Sequence, residues 1–242
     1  MRLSRMNVCI AGAAMVVALP GLAMAGERPI VSFSFSDLDG SFSIVESAES
    51  GVQSGLFTAA DDNNTTGDVT RVRGAQPTDT TAVFAGDLGG FPGLASFDMH
   101  LPVDSPSQAS AESLGGSLAL TDIDGDSLAA TVTGGWERLG TFGALFVGLL
   151  TDVQINRDGN SIFEGADGQG FSMMGLPAEQ DLEGTVVALA VPGWFVDETG
   201  ALQEFQGANV GSIGAIVPEP LSLSLLAAGG VLVTLRRKRR MS

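Results

Sequence analysis

Apolar and polar residues alternate with a period of two at several places between residues 26 and 216. The alternation is clear in residues 31–36 and recurs in residues 41–44. Because successive side chains of a strand point to opposite faces of a sheet, this pattern predicts half-buried β-strands. Helix signals are sparse and predict at most a turn or two in residues 107–114 and 178–182. Further strand candidates are residues 81–85, 95–101, 142–150 and 185–191.

Asp-Gly turns separate several of these strand candidates. The first such turn lies between residues 31–36 and residues 41–44, and its last two residues are Asp39 and Gly40. Asp-Gly between alternating apolar residues is a strong hairpin signal. A two-residue turn at this point sets Phe35 opposite Ile44 and places both side chains on one face.

Two more Asp-Gly turns occur further along the chain. A loop within residues 122–126 is predicted to set Leu120 opposite Leu128 and Leu118 opposite Ala130. The third turn contains an Asp-Gly flanked by two asparagines, and short apolar runs lie on both sides of it. We therefore predict a β-hairpin at each of the three turns.

Many short strands punctuated by Gly and Pro, with few helices, predict an all-β fold. The expected architecture is an antiparallel β-sandwich or jelly-roll-like body, formed by residues 26–216 as one extracytoplasmic domain. Residues 59–81 are rich in Asp, Asn, Thr and Gly, and we expect them to form a long surface loop. If the body contains two subdomains, the boundary is expected in this loop or near residues 105–107.

The body is strongly acidic. It contains 27 acidic residues against five arginines, a balance of −22, and it has no lysine. Phosphate binding needs clustered Lys and Arg, so this composition argues against nucleic acid as a partner. An acidic surface keeps an exported domain soluble through self-repulsion, and it also attracts divalent cations.

The Asp-rich turns permit two interpretations. Asp122, Asp124 and Asp126 alternate along the chain, and oxygen ligands at this spacing suit Ca²⁺. The EF-hand is excluded, because its twelfth position requires Glu and Thr133 stands there. The same residues are explained more simply by tight turns, which favour Asp and Gly for local capping and positive φ. We favour the turn interpretation and keep Ca²⁺ binding at these three residues as the alternative; no other cofactor is expected.

Catalytic chemistry has little support in the sequence. His100 is the sole histidine and lies in a strand candidate, and no G-x-S-x-G motif occurs. The body contains no cysteine, so a nucleophile paired with a histidine base is poorly supplied. A glycan hydrolase would need two carboxylates in a cleft, for which Trp136 or Trp194 could supply a wall. We expect a protein that is not an enzyme.

The N-terminus has the three parts of a secretory signal peptide. Two arginines precede an apolar stretch at residues 8–22, and Ala23 and Ala25 occupy the two positions that a signal peptidase reads. We expect cleavage after Ala25, which makes residues 1–25 the leader. Cys9 is the sole cysteine and belongs to this leader.

The C-terminus consists of a Pro-Glu-Pro motif, an apolar run and a basic cluster. The motif occupies residues 217–220 and contains Pro218, Glu219 and Pro220. The apolar run of residues 221–235 is roughly 22 Å long as a helix, which spans a bilayer only marginally. The cations hold the C-terminus in the cytoplasm, so the body is placed on the far side, in agreement with the signal peptide. They are Arg236, Arg237, Lys238, Arg239 and Arg240.

These three adjoining parts resemble the PEP-CTERM sorting signal, here residues 217–240. The resemblance implies that Pro218, Glu219 and Pro220 are recognised by an exosortase, a membrane-embedded transpeptidase-like protease. It further implies processing at the motif and delivery to the cell surface or extracellular matrix of a bacterium that makes exopolysaccharide. The resemblance covers only the tail and implies nothing about the fold of the body.

Together the two ends predict an exported bacterial surface or matrix protein that is attached to the membrane through residues 221–235, at least transiently. Exopolysaccharide is a possible partner of the acidic body. Two alternatives stay open for the body, namely a carbohydrate-binding or Ca²⁺-dependent adhesive module and an extracellular glycan hydrolase.

Overall fold

Twelve antiparallel β-strands and their connections form the described part of the chain. The computed structural model describes residues 29–45, 54–85, 95–140, 143–176 and 185–216. The strands are β1 (Val31–Val45), β2 (Ser54–Ala60), β3 (Thr66–Arg71), β4 (Ala82–Ala85), β5 (Ser96–Asp104), β6 (Ser110–Thr121), β7 (Ser127–Arg138), β8 (Ala144–Asn156), β9 (Ile162–Glu164), β10 (Gly170–Ser172), β11 (Thr185–Val191) and β12 (Phe205–Ile216).

The main sheet closes on itself as an eight-stranded barrel. Its strands follow the order β12-β11-β8-β7-β6-β5-β2-β1, and β1 then pairs with β12 to complete the circle. The all-β, antiparallel prediction is confirmed, but the prediction of a sandwich or jelly-roll is wrong. The two facing sheets of a sandwich do not form, because β1 and β12 pair with each other from Val31–Ile216 to Phe42–Phe205 and close the main sheet.

Strand β1 is continuous where the sequence predicted a hairpin. Phe35 pairs with Gly67 of β3 and Ser212 of β12, so it does not face Ile44. A β-bulge lies just before the Asp-Gly pair, between Phe35 and Leu38, and Asp37 there adopts a φ of 58°. Gly40 is needed for close packing, since a Cβ at this position would lie 2.4 Å from Cγ2 of Val210. Pairing along both edges of β1 overrides the local turn signal.

The second predicted hairpin is confirmed and the third is wrong. In the β6–β7 hairpin Leu120 pairs with Leu128 and Leu118 with Ala130, as predicted. Beyond the third turn, however, β9 pairs with β10, while β8 pairs with β7 and β11. β11 pairs only with residues 144–150 of β8, and residues 154–156 pair with β7. The residues after the third turn therefore pair with β10 and not with β8.

Two other local predictions are also wrong. Residues 107–114, predicted to form a helical turn, include the start of β6. Residues along this strand alternate between buried and more exposed positions on both sides of its middle. Residues 59–81, predicted to form a loop, contain β3, which pairs with β1 and β4. The other helix candidate, residues 178–182, lies outside the described residues. The sheet continues from β5 to β6 past residues 105–107, so no domain boundary lies there.

Aromatic side chains pack inside the fold in two groups. Around Trp136, the rings of Phe57, Phe146 and Phe195 lie with centroids 4.8–5.0 Å from the indole. The second group includes Phe35, Phe84 and Phe163, and the small β9–β10 sheet adds Phe171, stacked on Phe163 at 5.6 Å. Burial of these rings supplies a large apolar core in a chain that has no tyrosine.

Among residues 29–45, 54–85, 95–140, 143–176 and 185–216, no helix has the length and apolarity that crossing a membrane requires.

Candidate functional site

Two of the three Asp-Gly turns lie against each other at one end of the barrel. Gly159 N–H donates to Oδ1 of Asp126 at 2.8 Å, and the Asn160 side-chain amide donates to Oδ2 of Asp124 at 2.7 Å. A side chain at residue 159 would crowd both aspartates, because a Cβ there would lie 3.0 Å from Cβ of Asp124 and 3.1 Å from Cγ of Asp126. Glycine at residue 159 therefore allows the close contact between the two turns.

Asp122 is fully buried and holds the first turn together. Its Oδ1 accepts the N–H groups of Asp124 and Asp126, both at 2.9 Å, and its Oδ2 accepts the N–H of Glu164 at 2.9 Å. Burial raises the pKa of Asp122, three backbone donors oppose that rise, and the charge of Asp126 adds to it. The carboxylate thus joins the β6–β7 turn to β9, which no local sequence signal predicts.

The predicted Ca²⁺ ligand set of Asp122, Asp124 and Asp126 is not assembled. Both carboxylate oxygens of Asp122 face backbone N–H groups, which a cation would have to replace. In the described ranges no group of three or more His, Cys, Asp or Glu side chains is placed to hold a metal ion. The turn interpretation explains the geometry of Asp122, while Oδ2 of Asp126 is buried without a hydrogen-bond partner.

Removing the Asp122 carboxylate tests its structural role. Asp122→Ala leaves one buried and two part-buried N–H groups without their acceptor, so we expect the free energy of unfolding to fall by about 2 kcal/mol. Urea unfolding measures this loss, and Asp158→Ala, whose exposed side chain accepts from Asn156, should stay within about 0.5 kcal/mol of wild type. Equal losses in the two variants would contradict the assignment.

The raised pKa of Asp122 gives this loss a pH dependence. A carboxyl whose pKa is higher in the folded than in the unfolded state binds more protons when folded. Stability from this group is therefore fully present below its unfolded pKa and decreases as pH rises through the folded pKa. We expect the stability difference between wild type and Asp122→Ala to be larger in acid than at neutral pH, as urea titrations at several pH values would measure.

The side chains considered for catalysis are dispersed. His100 lies on the outward, exposed face of β5, where it pairs with Thr58 and Ser117. Trp136 is 1% exposed and Trp194 is 7% exposed. Their indole N–H groups donate to Ser113 Oγ at 2.9 Å and to the Ser107 carbonyl at 2.8 Å. Neither tryptophan lines an open cleft, so the feature expected of a glycan hydrolase is not formed by them.

A buried arginine forms the polar cluster that the sequence analysis missed. Arg71, at the end of β3, donates to the carbonyls of Ser172, Met174 and Gly175, and its Nη1 lies 3.9 Å from Oδ2 of Asp79. Asp79 also accepts N–H groups from Gln76 and Ser172. The sequence feature that could have indicated this cluster is an arginine at an inward-facing position of β3. All of these partners are structural, and no reacting group lies among them.

The sorting residues lie outside the described part of the chain. This applies to Ala23 and Ala25 of the leader, to Pro218, Glu219 and Pro220 of the motif, and to the basic cluster of residues 236–240. Strand β12 ends at Ile216, immediately before the motif begins. Comparison of the chain with protein-family models, with curated proteins and with solved structures finds no match.

Proposed function

We propose that the chain is an exported bacterial surface or matrix protein, sorted and processed through the motif at residues 217–220. The barrel is the delivered body and has no catalytic role of its own. An exosortase-like enzyme acts on Pro218, Glu219 and Pro220, and residues 221–235 attach the chain to the membrane before processing. The acidic outer surface then meets the exopolysaccharide matrix.

The observation that carries this proposal is the position of the motif relative to the barrel. All twelve strands of the described residues precede residue 217, and β12 closes the barrel by pairing with β1. A cut within residues 217–220 therefore removes the apolar run and the basic cluster but leaves each of these twelve strands in place. A cut upstream, within β12, would remove pairing partners of both β1 and β11.

Deleting residues 218–220 tests the sorting role. In a bacterium that processes such tails, the wild-type protein should be recovered with the masses of residues 1–25 and of the tail removed. The deletion variant should lose its leader, keep its tail and remain with the membrane fraction. Intact-mass spectrometry of envelope, membrane and medium fractions measures both processing events.

A matched control removes two residues that lie beyond the basic cluster. Deletion of Met241 and Ser242 leaves the motif, the apolar run and all five cations intact, so this variant should be processed and delivered like wild type. If deletion of residues 218–220 changes neither the mass nor the delivery of the protein, the motif has no sorting function.

A further inference from the structure

Three neighbouring strands on one side of the barrel carry no charged residue over long stretches. These stretches are residues 144–151 of β8 and all of β11 and β12. The lack of charge stands out in a body with 27 acidic residues. Their outward side chains form what we call the apolar face. It consists of Leu145, Val147, Leu149, Ala188, Ala190, Ile213 and Ala215.

The apolar face is continuous across the three strands. Val147 pairs with Ala188, and Ala188 pairs in turn with Ile213, so the three side chains form one row. Val147 is 43% exposed and Ile213 is 46% exposed. Single exposed apolar residues need no explanation, whereas a contiguous group of them is a candidate contact surface.

The size of the face favours a tethered occupant over a second copy of the chain. Three strands and about five residues along each cover roughly 14 by 17 Å. A stable dimer buries about 800 Å² on each partner, several times this area. A segment of the same chain needs far less contact, because a short linker holds it at an effective concentration on the order of millimolar.

The C-terminal segment has the position and the dimensions to cover the face. Ala215 belongs to the face, and β12 ends one residue later at Ile216. Four residues then lead to the apolar run of residues 221–235. Fully extended, four residues reach roughly 13 Å. A helix of fifteen residues is roughly 22 Å long and 10 Å wide, so it would cover the length of the face and extend about 5 Å beyond it.

Acidic side chains at the end of the apolar face that is far from Ile216 agree with a tail that folds back along the face. Glu137 pairs with Leu145 at one border, and Asp39 pairs with Asn209 at the other. Both acidic side chains are exposed, and both lie away from Ile216, where the chain leaves the barrel. A segment that runs back along the face brings the cluster of residues 236–240 to these carboxylates, and opposite charges attract there.

We propose that residues 221–235 fold back onto the apolar face whenever the unprocessed tail is not in a membrane. The face shields the apolar run from water during export, and a bilayer competes with it for the same residues. The inference rests on the proposed function only in taking the tail as a segment that later enters a membrane.

Cysteine cross-linking in the full chain tests this arrangement. Cys9→Ser removes the native thiol, Ala188→Cys marks the face, and Ala227→Cys or Ala228→Cys marks the tail. Mild oxidation of the purified protein without lipid should give an intramolecular disulfide. The matched control carries Ala119→Cys, an outward alanine on β6, in place of Ala188→Cys. We expect the pair at residue 188 to close at least about tenfold faster than the control, because docking raises the local concentration of the tail.

Further variants and measurements distinguish docking of the tail from the other possible occupants of the apolar face. Ile213→Glu should slow closure of the pair at residue 188, and Ala190→Cys should replace Ala188→Cys if the latter impairs folding. Equal closure rates at residues 188 and 119 overturn the proposal, and disulfide-linked dimers assign the face to a second copy. Adding vesicles of phosphatidylethanolamine and phosphatidylglycerol should reduce closure. If the cysteines do not cross-link but the tail is processed normally in cells, only the docking of the tail on the apolar face is rejected. If the cysteines cross-link but the tail is not processed, only the sorting role is rejected.

Discussion

Replacing Trp136 with alanine is expected to lower the free energy of unfolding by about 3–5 kcal/mol. The indole is 1% exposed and contacts three rings in the barrel interior, with centroid distances of 5.0 Å to Phe57, 4.9 Å to Phe146 and 4.8 Å to Phe195. Its removal leaves a cavity among rings that come from β2, β8 and the segment after β11. These elements cannot all close in around the gap, so both the lost burial and the cavity reduce stability.

Trp136→Phe is the matched control, because it keeps an aromatic ring at the centre of the cluster. It loses the hydrogen bond to Ser113, whose hydroxyl still donates to the Pro102 carbonyl. We expect a loss of about 1–2 kcal/mol, clearly smaller than for alanine. Urea unfolding measures both variants, with Trp194 as the remaining fluorescent reporter. A loss below about 1 kcal/mol for Trp136→Ala would mean that the aromatic cluster is not central to the barrel.

Because side chains fill the interior of the barrel, binding to other molecules would have to use its outer surface. Buried rings from several strands occupy the interior, and outward positions away from the apolar face carry acidic and hydroxyl side chains. One outward row contains Ser41, Thr58, His100, Ser117 and Thr131, which are paired in register across five strands. Contacts with a hydrated matrix would therefore be made by the outer surface.

The sequence predicts structure well where the signal and the pairing are both local. In the β6–β7 hairpin, alternation and the Asp-Gly turn determine the register, and Leu120 lies opposite Leu128 as expected. The same type of signal fails at Gly40, because β1 continues through this residue between β2 and β12, and β12 is distant in the chain. Barrel closure depends on pairing between residues 31 and 216, and no pattern within a short window encodes such a pair.

The candidate site shows the same division between local and distant contacts. The capping role of Asp122 toward Asp124 and Asp126 follows from its place in a turn. Its third bond, to Glu164 of β9, depends on tertiary packing and could not be foreseen. Arg71 was missed for a related reason, since its acceptors are carbonyl groups about a hundred residues away. Backbone carbonyls have no sequence signature.

Replacing Arg71 with alanine is expected to cost about 3–5 kcal/mol of unfolding free energy, because it breaks a buried charge pair. The Arg71 and Asp79 side chains are 4% and 5% exposed, respectively. The change also removes the donors to the carbonyls of Ser172, Met174 and Gly175. Those groups join the segment before β4 to the loop after β10, so limited proteolysis should cut that loop faster.

Three further variants separate the charge from the hydrogen bonds. Arg71→Lys keeps the charge but loses the guanidinium fork that donates to the carbonyls from two separate nitrogens, so its loss of stability should be intermediate. Arg138→Ala removes an arginine bonded to exposed Gln108 and should change stability by less than about 0.5 kcal/mol. Adding Asp79→Ala to Arg71→Ala should cost less than the sum of the two single losses, because the second change removes the uncompensated carboxylate. Strictly additive losses would show that the carbonyl contacts alone hold the two segments together.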